Sequence, residues 1–382
     1  MAVPSLTRNR LRQLAELRPE QGRVLSVFLN LDPAEFATGA AKSTAITSLM
    51  NDAADKVEAE AGSIGHDDHQ ALREDLERVR EVLDASDLAA GGVKGVAVYA
   101  CKPADVLEVV RLSHPIESRA LVDDSPYVEP LVTAGEAERW GVMLANRRTA
   151  RIFVGTAESL EEYTRLDSDT KGQHSDGGWS QQRYERSIEE EKRSHLASAA
   201  DILFAVLRRR PFDHLLLGSP PEHTSEIEGD LHPYLKQRLA GQLSIDVENS
   251  TAEDVRNAAA PLIDEHLRAR EREVLDRFAQ EAGRGGRAAT GLQATLQALN
   301  EQRVEVLLIG EGFRAGGLVE TQTRMLTVDG GEVPVDNPQF ERRDDILESA
   351  IEKTMEQSAD VMVIRRFPDL GAHGGIGALL RF

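Results

Sequence analysis

The residues best suited to chemistry lie in one short polar segment, residues 177–186, which reads GGWSQQRYER. Its two glycines let the backbone approach a crowded surface closely, because they carry no side chain. Trp179 offers a flat ring on which an unpaired base can stack. Arg183 and Arg186, three residues apart on a predicted helix face, suit phosphate groups. The pattern points to RNA contact, and the alternative is an unbound loop whose Trp179 packs onto a neighbouring surface.

The elements around this segment must hold it in place. Residues 167–180 contain no large aliphatic side chain, which predicts an exposed loop. An apolar stripe predicts a long helix after the loop, to about Arg209. Strands that alternate with helices imply a mostly parallel sheet in this region. The other expected elements are a hairpin of strands Trp140–Ala145 and Ala150–Val154, a strand His214–Leu217, a loop Gly218–Asp230, a helix Leu231–Leu239 and a strand Leu243–Val247.

Further α/β patterns flank this middle region. Short apolar runs predict buried strands at Val24–Asn30 and Val304–Gly310. A charged helix is expected from about Thr251 to Gly283, interrupted at most by a proline. The sequence therefore predicts three domains, comprising residues 1–125, 126–263 and 264–382.

Composition excludes several classes of protein. The chain has 382 residues, of which 41% are hydrophobic and 29% charged, so it has enough apolar residues to build cores. It has no apolar run long enough to span a bilayer and no secretion signal, so we expect a cytoplasmic protein without membrane contact. The single cysteine, Cys101, excludes an internal disulfide and a thiolate cluster for zinc.

Charge and motifs narrow the function further. The net charge of −20 is spread along the whole sequence, so RNA binding would depend on local patches. Candidate basic residues are Arg147 and Arg148 in the predicted hairpin turn and Lys171 in the polar loop. We find no P-loop, zinc-protease or serine-hydrolase motif, and we therefore predict no cofactor, no metal and no conventional catalytic residue.

The 177–186 segment resembles a known family. It is similar to the GGQ loop of archaeal and eukaryotic class-1 peptide release factors, where GGQ is followed by S-x-x-R-[FY]-x-R. The matching residues are Gly177, Gly178, Ser180, Arg183, Tyr184 and Arg186. Residues 214–239, 290–312 and 367–382 resemble later parts of the same family in the same order. The resemblance implies a three-domain, tRNA-shaped α/β chain with an α/β N-terminal domain, a mixed-sheet middle domain with a long loop and helix, and an L7Ae-like C-terminal sandwich.

Two departures shape the functional expectation. Trp179 stands where the family has the glutamine whose backbone orients the hydrolytic water, and Gln181, two residues later, could replace that glutamine only if the loop shifts its register. Lys42 and Ser43 are at best a remnant of the family's codon-reading N-I-K-S motif. Because both the GGQ loop and the codon-reading motif are altered, the chain looks like the bacterial Balon-type ribosome hibernation factors.

That resemblance implies a monomeric, non-enzymatic protein that occupies the vacant A site of the 70S ribosome. Its loop would contact 23S rRNA, and Lys42 and Ser43 would contact 16S rRNA. Elongation factor Tu would bind the middle and C-terminal domains. The first alternative is a peptidyl-tRNA hydrolase, acting in release or rescue, that uses Gln181. The second is an adaptor that binds a GTPase or nuclease and never enters the ribosome.

Overall fold

The computed structural model describes residues 8–36, 38–85, 88, 93–112, 114–134, 138–157, 159–167, 181–329 and 339–382. For residues 8, 9, 133, 134 and 181–192 it describes the backbone alone. The chain divides into two compact units: unit 1 combines residues 1–136 with 270–382, and unit 2 comprises residues 137–269.

Helices and strands are numbered in chain order over these described residues. The helices are α1 (Arg8–Ala15), α2 (Gly39–Ala59), α3 (His66–Leu83), α4 (Glu129–Ala134), α5 (Gln181–Arg209), α6 (Pro221–Asp230), α7 (Pro233–Lys236), α8 (Ala252–Gly283), α9 (Gly291–Asn300) and α10 (Leu347–Glu356). The strands are β1 (Val24–Asn30), β2 (Gly95–Cys101), β3 (Val106–Leu112), β4 (Arg119–Asp123), β5 (Trp140–Ala145), β6 (Thr149–Gly155), β7 (Glu161–Asp167), β8 (His214–Gly218), β9 (Leu239–Leu243), β10 (Ala288–Thr290), β11 (Val304–Gly310), β12 (Gly317–Glu320), β13 (Leu326–Val328), β14 (Phe340–Arg343), β15 (Asp360–Ile364) and β16 (Ile376–Leu380).

In unit 1, the N-terminal sheet has the strand order β3-β2-β1-β4, and all its pairings are antiparallel. Every residue of the central strand β1 is buried, because both faces of the sheet are covered. Successive side chains of a strand point to opposite faces. Leu25 and Val27 therefore pack with α2 and α3, while Val24 and Phe28 join a core shared with residues 289–380.

The C-terminal part of unit 1 has a four-stranded sheet of order β10-β16-β11-β15 and a three-stranded sheet of order β13-β12-β14. Only the β11–β15 pairing is parallel among these. Helices α9 and α10 carry Leu296, Leu299, Leu347 and Ile351 into the core that they share with the N-terminal sheet. The two ends of the chain thus build one hydrophobic core.

Unit 2 contains a five-stranded mixed sheet of order β7-β6-β5-β8-β9. The pairings β5–β8 and β8–β9 are parallel, and the two pairings of β6 are antiparallel. Helix α5 packs on one face through Leu196 and Leu203, and the first part of α8 packs on the other through Val255, Ala259 and Ile263. The α/β class with a mixed middle sheet is confirmed, whereas the expectation of a mostly parallel sheet is wrong because β6 and β7 add an antiparallel meander.

Three local predictions in unit 2 are wrong. The expected loop 218–230 contains α6, which begins at Pro221, where a proline needs no backbone donor. The expected helix Leu231–Leu239 is reduced to the short α7, and the next strand is Leu239–Leu243 rather than Leu243–Val247. Strand β9 pairs with the buried strand β8 along the sheet, and this pairing overrides the local helical pattern. The domain boundaries after residues 125 and 263 stay a prediction.

Candidate nucleic-acid interface

The predicted RNA-contacting residues fall into three groups. Lys171, Gly177, Gly178, Trp179 and Ser180 lie outside the described residues. The second group lies on the backbone of the first two turns of α5, and its members are Gln181, Arg183, Tyr184 and Arg186. The third group is described in full and comprises Lys42, Ser43, Arg147 and Arg148.

Helix α5 confirms the expected long helix directly after the polar segment, with its first residue at Gln181. Positions 183 and 186 are three residues apart in this helix and therefore lie on one side of it. From Gln181 to His195 the helix rises about 21 Å, at 1.5 Å per residue. The backbone positions of Arg183 and Arg186 are thus on one side of a helix, as the sequence predicted.

The turn between β5 and β6 carries Arg147 and Arg148, both exposed. Strand β7 pairs antiparallel with β6, so its last residue, Asp167, lies opposite Thr149. The Thr149 hydroxyl donates a hydrogen bond of 2.8 Å to Asp167 Oδ1. Arg147 and Arg148 therefore lie beside the pairing of Thr149 with Asp167, the last described residue before residues 168–180.

His195 is a residue of this region that sequence reasoning missed. Its imidazole is 6% exposed and donates a hydrogen bond to the backbone carbonyl of Thr149, while its Nε2 has no hydrogen-bond partner among the described residues. Burial lowers the pKa of His195, which favours the neutral imidazole. The signal in the sequence is a histidine next to Leu196 on the apolar stripe of the helix. His195 positions α5 against the β5–β6 turn.

Acidic groups share this edge of the sheet. Hydrogen bonds from Arg165 and Thr149 lower the pKa of Asp167, and those from Asn249 and Glu248 lower the pKa of Asp246. Asn146 in the turn donates a hydrogen bond of 2.9 Å to Glu248 Oε1. Since the lowered pKa values keep Asp167 and Asp246 ionised at neutral pH, the edge carries charges of both signs. Arg147 and Arg148 add local positive charge there. Because the whole chain is acidic, we expected RNA binding to depend on local basic patches of this kind.

Lys42 and Ser43 lie in the first turns of α2, in unit 1. The Thr38 side chain accepts a hydrogen bond from the backbone N–H of Ala41 and caps this helix. Ser43 is exposed, and Lys42 is half-buried. Both residues therefore lie at a capped helix start.

The described residues offer little support for a metal site, a membrane-spanning helix or a cysteine nucleophile. They contain no group of three or more histidine, cysteine, aspartate or glutamate side chains that could hold a metal ion. Within the same ranges, no helix is long and apolar enough to cross a membrane. Cys101 is buried, and burial raises the pKa of its thiol, which makes it a poor nucleophile.

Comparison with known proteins agrees with the resemblance of the polar segment. Residues 126–282 match the model of bacterial archaeo-eukaryotic release factor family 10. Peptide chain release factor subunit 1 of Methanopyrus kandleri is 27% identical over 244 residues, which cover 62% of this chain and 59% of that protein. The same factor from Archaeoglobus fulgidus is 27% identical over 326 residues, covering 76% of this chain and 77% of its own length.

Among solved structures, archaeal Pelota in a ribosome-bound model aligns with 72% of this chain and 72% of its own length, at 16% identity and a TM-score of 0.44. The sequence matches make the chain similar to archaeal class-1 peptide release factors. Its middle region carries the match to bacterial archaeo-eukaryotic release factor family 10. The chain spans about three fifths of the Methanopyrus factor.

Proposed function

We propose that this protein is a ribosome hibernation factor of the Balon type. It occupies the vacant A site of the 70S ribosome, between the decoding centre and the peptidyl-transferase centre, and does not release the nascent peptide. One observation carries the proposal: Trp179 replaces the glutamine of the GGQ motif, while Ser180, Arg183, Tyr184 and Arg186 keep the family pattern. The family match of residues 126–282 includes this segment.

The chemistry of tryptophan supports a binding role at this position. Release requires a small group that orients a water molecule in a crowded RNA pocket, and an indole is large and has only one N–H donor. Its ring is well suited to stacking on an unpaired base of 23S rRNA. Arg183 and Arg186, on one side of α5, then lie near enough in sequence to contact phosphates.

The remaining contacts follow from the same proposal. Arg147 and Arg148 add cationic groups beside the start of the polar segment, and Lys42 and Ser43 contact 16S rRNA at the decoding centre. A translational GTPase, elongation factor Tu, binds the middle and C-terminal regions of a monomeric, cytoplasmic protein. Because the net charge is −20, binding depends on shape across a large surface, and its salt dependence is modest.

The test measures ribosome binding and peptide release with the same protein. We expect the full chain to pellet with vacant 70S ribosomes and to release no peptide from peptidyl-tRNA above background. Trp179→Ala should weaken binding by about 5- to 150-fold, since stacking of one base contributes about 1–3 kcal/mol. Trp179→Phe retains a stacking ring and is the matched control. Failure to pellet with ribosomes would refute the proposal.

The runner-up is a peptidyl-tRNA hydrolase, acting in release or rescue, in which Gln181 takes the place of the missing glutamine. Its position as the first residue of α5, two residues after Trp179, favours this candidate. Peptide release that disappears in Gln181→Ala would establish hydrolysis and overturn the hibernation proposal. An adaptor that never enters the ribosome would instead keep all its binding when Trp179 and Arg183 are replaced by alanine.

A further inference from the structure

Unit 1 is built from an N-terminal segment, residues 1–136, and a C-terminal segment, residues 270–382. The two segments meet at two buried glutamates of α10. Glu348 and Glu352 are one helical turn apart and are 8% and 2% exposed. Glu348 accepts hydrogen bonds from the backbone N–H groups of Val128, at 2.7 Å, and Glu129, at 2.6 Å. These two residues lie at the start of α4, in the N-terminal segment. A helix of the C-terminal segment thus supplies the acceptor for backbone donors some 220 residues earlier in the chain.

Glu352 makes a second set of contacts across the same boundary. The Ser125 hydroxyl donates a hydrogen bond of 2.6 Å to its Oε1. Arg18, which follows α1, lies 3.0 Å from its Oε2, and Arg324, from the C-terminal segment, lies 2.6 Å away. Glu352 therefore has two cationic partners, whereas Glu348 accepts hydrogen bonds from uncharged backbone groups.

Charged and titratable groups from several elements surround the pair. They are Arg18, Tyr99 on β2, Asp123 on β4, Tyr127, Glu129, Arg324, Asp345 and Lys353. Glu129 has its own partners, because Arg119 and Arg314 lie 2.8 and 2.9 Å from its carboxylate oxygens. Arg343 lies 2.7 Å from Asp123. These five arginines are thus divided among three carboxylates, those of Glu352, Glu129 and Asp123, which leaves Glu348 beside the negative charges of Glu352 and Glu129.

Water can reach the edge of this cluster. A cavity of about 140 Å³ lies between β4 and the C-terminal segment, and both glutamates line it together with Asp123, Tyr127 and Arg343. A proton that leaves the pair therefore has a polar path to solvent.

We propose that Glu348 and Glu352 form a proton-dependent latch between the N-terminal and C-terminal segments of unit 1. In the closed form, the pair of carboxyl groups retains one proton. When α10 separates from residues 123–129, both glutamates become solvated, and that proton passes to water. Closing reverses the exchange and takes up one proton.

The direction of the pH dependence follows from the shifts of the two groups. Burial, followed by the charge of Glu352, raises the pKa of Glu348 well above its usual value. Burial also raises the pKa of Glu352, although Arg18 and Ser125 oppose the shift. The closed form therefore keeps a proton at pH values where the open form has lost it. The latch is strongest at low pH and weakens as the pH rises from the ordinary glutamate value, 4.5, towards the raised pKa of the pair.

Hydrogen–deuterium exchange of the full-length protein tests the latch directly. The readout is the protection of backbone amides in residues 126–132, measured between about pH 6 and about pH 8 and corrected for intrinsic exchange. Because opening releases one proton, we expect protection to fall with rising pH by up to about tenfold per pH unit. Glu348→Gln, which imitates the protonated side chain, should remove this slope. Glu273→Gln, at an exposed position of α8 in the same unit, should keep it.

Two further results decide the inference. A wild-type protection that does not change with pH, or a Glu348→Gln variant with the wild-type slope, would overturn it. Ser125→Ala removes a hydroxyl donor without removing a proton, so it should lower protection equally at every pH. If Glu348→Gln does not fold, the slopes of the wild type and of Ser125→Ala still decide the question. No ribosome enters this assay, so its outcome is independent of the proposed function.

Discussion

Arg119 lies over two aromatic rings and beside a buried carboxylate. Its guanidinium carbon is 4.8 Å from the ring centre of Tyr127 and 5.8 Å from that of Phe28. Its Nη2 lies 2.8 Å from Glu129 Oε2, and the Glu129 side chain is almost completely buried. Arginine suits this place because its planar group stacks on rings and forms hydrogen bonds at its edge. One side chain thus neutralises a buried charge and covers two rings.

We predict that Arg119→Ala lowers the free energy of unfolding by about 2–4 kcal/mol, because it leaves Glu129 buried with Arg314 as its remaining cation. Arg119→Lys keeps the charge but loses the planar stacking, so its loss should be smaller. The measurement is equilibrium unfolding in urea. Arg277→Ala is the control, because Arg277 pairs with Glu305 on the surface and its loss should cost less than about 1 kcal/mol. Equal losses for Arg119→Ala and Arg277→Ala would contradict the prediction.

At the scale of elements, the turn from β6 to β7 directs the chain towards the polar segment. Gly155 ends β6, and a Cβ atom built on it would lie 2.1 Å from the backbone carbonyl oxygen of Ser159. The turn is tight because the backbone N–H of Ser159 donates to the Thr156 carbonyl at 3.1 Å. Since the obstacle is backbone, a small side-chain adjustment cannot relieve it. The glycine is therefore required for β7 to return along β6.

Gly155→Ala should lower the free energy of unfolding by about 2–4 kcal/mol, because the added methyl group forces the turn apart. Gly229→Ala is the matched control: Gly229 lies in α6, and a Cβ there meets no atom within 4 Å. It should raise stability by about 0.5–1 kcal/mol through helix propensity. Urea unfolding of both variants provides the comparison. A Gly155→Ala protein as stable as Gly229→Ala would show that the turn can relax.

At the scale of the whole molecule, the two units differ in how the chain builds them. Unit 2 is continuous in sequence and has two hydrophobic clusters of its own, one on each face of its sheet. Unit 1 is discontinuous, and one cluster combines residues such as Phe28 and Val128 with Leu299 and Ile351. Residues 1–136 therefore depend on residues 270–382 to cover one face of the N-terminal sheet.

We expect residues 137–269, produced alone, to unfold in one cooperative thermal transition. Residues 1–136 alone should show none, because the exposed face of their sheet is apolar. Co-expression with residues 270–382 should restore the transition and give a complex of the two fragments. Circular dichroism melting curves and size-exclusion chromatography make the measurement. A cooperative transition of residues 1–136 by themselves would contradict the shared core.

Predictability from sequence depended on the range of the interactions. The strands Val24–Asn30 and Val304–Gly310 are confirmed at both ends, because their apolar runs are bounded by polar residues or glycine. The region 231–243 was mispredicted because pairing with β8 determines that β9 is a strand. In the candidate interface, the spacing of Arg183 and Arg186 was readable from the sequence. The burial of His195 against Thr149 was not, because it depends on how α5 packs on the sheet.

Four features can be read from the order of the residues: the polar segment, the helix that follows it, the replacement of glutamine by Trp179 and the α/β class. Each of these is a matter of residue type or of a pattern within a few turns of chain. Two other features become visible in the folded chain: Arg147 and Arg148 lie beside the pairing of Thr149 with Asp167, and Glu348 accepts hydrogen bonds from the N–H groups of residues 128 and 129. Contacts of this kind join residues that are distant in sequence. They depend on sheet register and core packing, and a local sequence pattern contains neither.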